Sequence, residues 1–274
     1  SLLKKAPKVD GKIEDGEWEG AVRTARFHRL RPFTLEVRGG ASYCGFTKDR
    51  LYIAVVSELP PDKTLMTRKK FRDAAVVMDD SIEIWFDANR DTRDKDAGGR
   101  DYYQFLGNSA GVIADTRFDP AKGAPDLGWN GNWEFANTVD KERGLWVAEL
   151  SLPFKDLGWE GDPVGRSIGV LIARNFKRGW SQATWFPHKG SFVSWFQYPR
   201  IRLTADAPSV QIEQLGQNLF KGALDLKVDV YNPGPARKAK VQLVIESSDM
   251  PGLKDAKTLD LPAKGHATYG FKVP

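Results

Sequence analysis

Four groups of residues in this 274-residue chain have types and spacings that could do chemistry. Gly107-Asn108-Ser109-Ala110-Gly111 fits G-x-S-x-G, but a hydrolase elbow needs a helix after its serine. Here "VIADTRF" follows, a strand pattern, so the run reads as a β-turn. Glu83 and Asp87 fall on one face of "SIEIWFD". Four residues along a strand is about 13 Å at ~3.3 Å per residue. Paired-carboxylate glycosidases use about 5–9.5 Å, which excludes that reaction for this pair. Asp87, Asn89 and Asp91 open like a calcium loop, yet Thr92 and Gly98 stand where an EF-hand needs Gly and Glu. Arg90, Arg93, Lys95 and Arg100 nearly neutralise that loop, so any calcium effect is expected to be modest. Met66, Met78, His28 and His188 are the residues able to ligate haem, with no attachment motif beside them.

Composition narrows the rest. One cysteine, Cys44, excludes an internal disulfide framework and cysteine-based zinc or iron–sulfur sites, and the three histidines lie far apart. The net charge of +5 is spread thinly, without a basic stripe, which argues against nucleic acid as partner. No stretch approaches 18 apolar residues and no basic, then apolar, leader opens the chain, so no membrane span or signal peptide is expected.

The elements that must carry these residues are strands. "ASYCGFT" and "LYIAVVS" flank a turn at Lys48–Arg50. "DYYQFL" and "GVIADTRF" flank Gly107–Gly111, and "LWVAELSLP" and "SIGVLIARNF" follow. Only residues 62–75 could carry a short helix, and "PFKDLG" one turn. In "SIEIWFD", Ile82, Ile84 and Phe86 form the core face, which leaves Glu83 pointing outward. All nine tryptophans precede residue 200, and "TADAPSV" marks a boundary. Two domains are therefore expected, 1–206 and 207–274, the second with about five strands. Trp18 and Trp146 are expected in the core, whereas Trp129, Trp133 and Trp180 lie in Gly/Asn/Ser-rich loops.

Six segments in order, "KVDGKIEDGEWEGA", "DRLYIAVVSE", "DDSIEIWFDANRD", "YYQF", "LWVAELSLPFKDLG" and "WFPHKGSFVSWFQYPRIRL", resemble the family 9 carbohydrate-binding modules over about residues 7–204. "YNPGPARKAKVQLVI" resembles the strand–turn–strand corner of bacterial immunoglobulin-like modules. The resemblance implies an all-β chain: a jelly-roll type β-sandwich followed by a small, truncated immunoglobulin-like β-sandwich. It implies a non-catalytic polysaccharide- or oligosaccharide-binding module of a larger secreted, periplasmic or cell-surface protein, tethering further domains of the same polypeptide to a glycan.

In that family a sugar sits between two tryptophans, ringed by polar groups. The acidic residue falls on Glu83 and the amide on Gln104. The first tryptophan falls on Val77, an arginine on Leu106, and the second tryptophan on or near Phe192, with Trp195 close by. The implied site is thus Glu83, Gln104, Phe192 and Trp195, with Trp185 and Trp85 as further platforms. No cofactor is implied for such a module; calcium at Asp87, Asn89 and Asp91 remains the one candidate. Two rivals stand beside it. One is a structural or assembly module without glycan affinity. The other is a b-type haem domain, since similar sandwiches hold haem through methionine with lysine or histidine, and Met78 adjoins Val77.

Overall fold

The computed structural model describes residues 2–30, 34–88, 102–119, 121–218, 223–245 and 252–273. Its elements are strands and three one-turn 3-10 helices, in two large sheets and a ribbon. The first sheet contains Val22–Thr24 (β1), Gly40–Phe46 (β3), Arg50–Glu58 (β4), Glu134–Asp140 (β9) and Leu145–Pro153 (β10). It is extended by Ser209–Asn218 (β14), Ala223–Asn232 (β15) and Gly265–Val273 (β18), in the order β18-β15-β14-β1-β3-β4-β10-β9. The second sheet contains His28–Arg29 (β2), Ser81–Asp87 (β5), Tyr102–Asn108 (β6), Ile113–Asp119 (β7) and Ala124–Asp126 (β8). With Ser167–Phe176 (β11) and Ser181–Thr184 (β12) its order is β2-β12-β11-β5-β6-β7-β8, and Arg200–Arg202 (β13) pairs with β11. Arg237–Ile245 (β16) and Leu253–Leu261 (β17) form the ribbon.

The sandwich core lies between the two large sheets. Ile82, Ile84 and Phe86 of β5, Phe105 of β6, and Val170 and Ile172 of β11 meet Phe46, Ile53, Val55 and Trp146 of the first sheet. The β3–β4 and β6–β7 hairpins form where period-2 alternation and turn residues place them. Ser109 sits in the β6–β7 turn, with its Oγ 2.6 Å from Thr67 Oγ1, and a strand follows it.

One expectation fails. No helix forms over 62–75; the only helical turn nearby is Val76–Met78. That segment's backbone N–H groups are instead taken by buried carboxylates. Asp79 Oδ2 accepts from Arg68 N (3.0 Å) and Lys69 N (2.8 Å), and Asp80 Oδ2 from Met66 N (2.8 Å). The tail forms five strands: β14, β15 and β18 pack against the β16–β17 ribbon through two small apolar clusters, around Leu226, Val228 and Phe271 and around Val230, Leu259 and Leu261. β14 runs parallel to β1, with Arg23 opposite Gln211, and so carries β15 and β18 into the first sheet. Arg23 secures this seam by donating to the Ile212 carbonyl (2.9 Å) and pairing with Glu213 (3.2 Å).

The opening segment forms turns that wrap the outer face of the first sheet, anchored by Glu149 on β10. Its Oε2 accepts from the backbone N–H of Asp10 (3.2 Å), Gly11 (2.9 Å) and Lys12 (3.2 Å), and its Oε1 from Trp18 Nε1 (3.3 Å). Gly11 is required there: its φ is +80°, and a Cβ would lie 2.6 Å from the Asn137 backbone. Burial raises the Glu149 carboxyl from 4.5 to about 7. Between those values the folded chain holds a proton that the unfolded chain has released. This group's stabilisation is therefore complete below about pH 4.5 and is lost as the pH rises through 7. Melting temperatures across pH 4–8 should fall with rising pH in the wild type, and less steeply in Glu149→Gln. An identical slope in both would contradict the assignment.

Candidate functional site

The outer face of the second sheet brings the sequence-predicted polar residues together. Side chains alternate along β5, so Ser81, Glu83, Trp85 and Asp87 point away from the core. Register places Ala173, Glu83 and Leu106 in one row across β11, β5 and β6, and Leu171, Trp85 and Gln104 in the next.

Glu83 is the centre of a hydrogen-bonded ladder. Its Oε1 accepts from Gln104 Nε2 (2.7 Å) and Trp85 Nε1 (2.8 Å), and its Oε2 from Asn175 Nδ2 (2.7 Å). Asn175 Oδ1 in turn accepts from Gln182 Nε2 (3.2 Å). The ladder therefore runs Gln182–Asn175–Glu83–Gln104 across β12, β11, β5 and β6. Glu83 is only 2% exposed, and burial pushes its carboxyl up against the pull of those three donors. This corrects the expectation of an outward carboxylate open to solvent: Glu83 is buried, and three of its roughly four acceptor positions are taken from within.

The same face is covered by residues 185–199, which join β12 to β13. Trp185 N donates to the Ile172 carbonyl (2.9 Å), its Nε1 to that of Val170 (3.0 Å), and Val170 N to that of Pro199 (3.0 Å). The Tyr198 hydroxyl donates to the Phe192 carbonyl (2.5 Å). Burial, then the charges of Glu83 and Asp87, raise that hydroxyl's pKa well above its usual value, as expected for a ring lying over this face. Phe192 and Trp195 are each 7% exposed, Trp185 2% and Trp85 6%. None of the four stands as an open stacking wall. Trp85 instead packs on Tyr102, with ring centres 5.4 Å apart.

What remains open is a cleft of about 300 Å³ beside the ladder. Val76, Val77, Leu106, Ala114 and Leu127 give it an aliphatic lining, with Asp73, Gln104, Asp115 and Thr116 as polar groups. Val77, Gln104 and Leu106, three of the positions implied by the resemblance, line this one cleft. The 68–79 segment that forms its rim is fixed to the sheet. Asp73 N donates to the Ile113 carbonyl (3.0 Å), Arg72 Nη2 to Asp115 Oδ1 (2.7 Å), and Asn108 Nδ2 to Asp79 Oδ2 (3.0 Å). Burial pushes the Asp115 carboxyl up, against the Gly131 N–H (2.6 Å) and Arg72.

Of the calcium candidates, Asp87 is buried on β5, whereas Asn89 and Asp91 lie outside the described residues. Among the described residues, no three His, Cys, Asp or Glu side chains are grouped to hold a metal ion. Met78 is half exposed next to the cleft, His28 lies on β2, and His188 is buried in the covering segment with Nε2 at the Ser191 carbonyl. Sequence reasoning missed Asn175 and Gln182. The available signal was "RN" near the end of an otherwise apolar strand, where a polar pair must find partners.

No family model matches the chain, and no curated protein matches it. Two similar solved structures are of a family 9 carbohydrate-binding module from Caldicellulosiruptor kristjanssonii. The one in complex with cellotriose shares 15% identity over 75% of this chain and 93% of that one, with a TM-score of 0.52. The one in complex with glucose shares 14% over 75% and 95%, with a TM-score of 0.53. The chain has the β-sandwich fold of the family 9 carbohydrate-binding modules.

Proposed function

We propose that this chain is a non-catalytic glycan-binding module whose ligand enters the cleft at Val77, Gln104 and Leu106. One observation carries the reading: on a fold whose solved examples hold cellotriose and glucose, the open cleft is lined by three of the positions implied for the sugar. The chemistry suits a neutral gluco-oligosaccharide. Aliphatic walls meet the C–H face of a pyranose, and Gln104 and Thr116 offer bonds to its hydroxyls. Val77 and Leu106 supply neither an aromatic face nor a cation. Those losses are worth roughly 1 and 1.5–3 kcal/mol, so binding is expected to be weak, about millimolar. Tethering a larger secreted or cell-surface protein to polysaccharide is the role such a module serves.

A second reading, a structural or assembly module, is favoured by the internal hydrogen bonds of Glu83 and the burial of Phe192 and Trp195. Calorimetry with cellotriose separates the two. Millimolar binding that is lost in Gln104→Ala is expected. No heat from cellotriose, nor from xylo- or manno-oligosaccharides, would leave the structural reading in place.

A further inference from the structure

We propose that Trp180, backed by Lys177 and flanked by Gln182, is the stacking platform of a second sugar subsite, so that the module reads an oligosaccharide rather than a single ring. The inference rests on the glycan-binding reading above and adds a residue and a subsite to it.

Trp180 differs from the other tryptophans in exposure. It is 68% exposed, while Trp18, Trp85, Trp133, Trp146, Trp159, Trp185 and Trp195 are all at 7% or less and Trp129 is half-buried. It sits at the tip of the β11–β12 hairpin, where its N–H donates to the Lys177 carbonyl (3.2 Å). Gly179 has φ +81° and Trp180 φ +48°. Hairpin turns of this kind favour Gly or Asn at such positions. An indole there is held in a strained backbone region and also left in water, and folding gains from neither.

The ring is nonetheless held in place. The Lys177 ammonium lies 5.4 Å from its centre, covering one face and leaving the other outward. Lys177 is only 8% exposed; its backbone N–H donates to Asp80 Oδ1 (2.6 Å), and Glu83, Asp80 and Asp79 surround its charge. An aromatic face backed by a fixed cation offers a flat surface to the C–H face of an equatorially substituted pyranose, and repels cationic ligands.

The position of Trp180 sets the ligand length. Gln182, two residues on, ends the ladder that begins at Gln104. From β6 to β12 is three strand spacings, roughly 14 Å at ~4.8 Å each, more than one pyranose covers. The middle of the ladder is buried, so the route follows the sheet end. There Val77 (40% exposed) and Met78 (52% exposed) lead from the cleft to Asp80, which binds the Trp180 turn. The ligand class is a neutral oligosaccharide, longer than one ring, laid along that edge.

The test compares glucose with cellotriose on the wild type and Trp180→Asn, by calorimetry and by iodide quenching of tryptophan fluorescence. Asparagine suits the left-handed backbone, so the variant should melt no lower than the wild type. In the wild type, cellotriose should bind about tenfold more tightly than glucose, which is the scale of one aromatic contact, and should shield the indole from iodide. In Trp180→Asn the affinity ratio should fall to near one. An unchanged ratio, with glucose binding intact, overturns this inference and leaves the glycan-binding reading standing. No binding of either sugar by the wild type overturns both.

Discussion

Glu83→Ala is expected to destabilise the fold by about 3–5 kcal/mol. The substitution leaves Trp85 Nε1, Asn175 Nδ2 and Gln104 Nε2 without the acceptor they share. Each buried donor left unpaired costs about 1–3 kcal/mol, and Gln104 sits at the low end because water reaches it. A domain of ordinary stability has about 5–15 kcal/mol to lose, so the variant would be marginal. Glu83→Gln should be far milder: its carbonyl keeps the Trp85 and Gln104 bonds, and Asn175, with Gln182 behind it, must turn so that donors again meet acceptors. Urea denaturation of both variants decides the matter; a loss below about 1 kcal/mol in Glu83→Ala would show that the ladder carries little energy. Loss of sugar binding in Glu83→Ala would therefore report unfolding as much as recognition, and Gln104 and Trp180 are the cleaner probes.

The second large effect is expected at Arg174, which lies wholly buried between the sheets. Its guanidinium stacks between Phe27 and Phe176, 4.8 and 4.7 Å from their ring centres. Nη1 donates to Ser57 Oγ (2.9 Å), and Nη2 lies 3.4 Å from Glu36 Oε2. Burial lowers the guanidinium to about 10, so it stays charged at neutral pH. Burial also pushes the Glu36 carboxyl up, but the Ser181 hydroxyl, Arg174 and Arg38 outweigh this and hold it below the usual value. Arg174→Met keeps the stacking volume but takes the nearer of two cations from Glu36, leaving it Arg38 at 3.8 Å, at a cost of about 3 kcal/mol. Adding Glu36→Gln should recover much of that loss, because the buried carboxylate that has lost its nearer cation is then neutral. A double variant no more stable than Arg174→Met would mean that packing around the guanidinium, and not the ion pair, carries the effect.

Strands were legible in the sequence where alternation and turn residues agree, as in β3–β4 and β6–β7. The core face of β5 was legible too, because Ile82, Ile84 and Phe86 share one side. The fate of its other face was not. Ser81, Glu83 and Asp87 look like a solvated row, yet all seven β5 residues are buried. The chain 100 residues later folds back over them, and nothing in the local pattern of β5 announces that. Trp85 was the clue: an indole amid polar residues on an outward face must itself be covered. Val77, Gln104 and Leu106 were singled out in the sequence by the resemblance alone; that they line one cleft follows from the pairing of β6 with its neighbours. Exposure of aromatics was not legible, because it depends on tertiary cover: Phe192 and Trp195 are sealed in while Trp180 is left out.

A neutral glycan is expected to bind on the outer face of the second sheet. Backbone and indole NMR shifts during a cellotriose titration of the full chain test this most directly. Fast-exchange shifts are expected that saturate in the millimolar range and cluster at Val77, Gln104, Leu106 and the Trp180 indole, with the first sheet unmoved. Shifts confined to the first sheet, or none at saturating sugar, would contradict it.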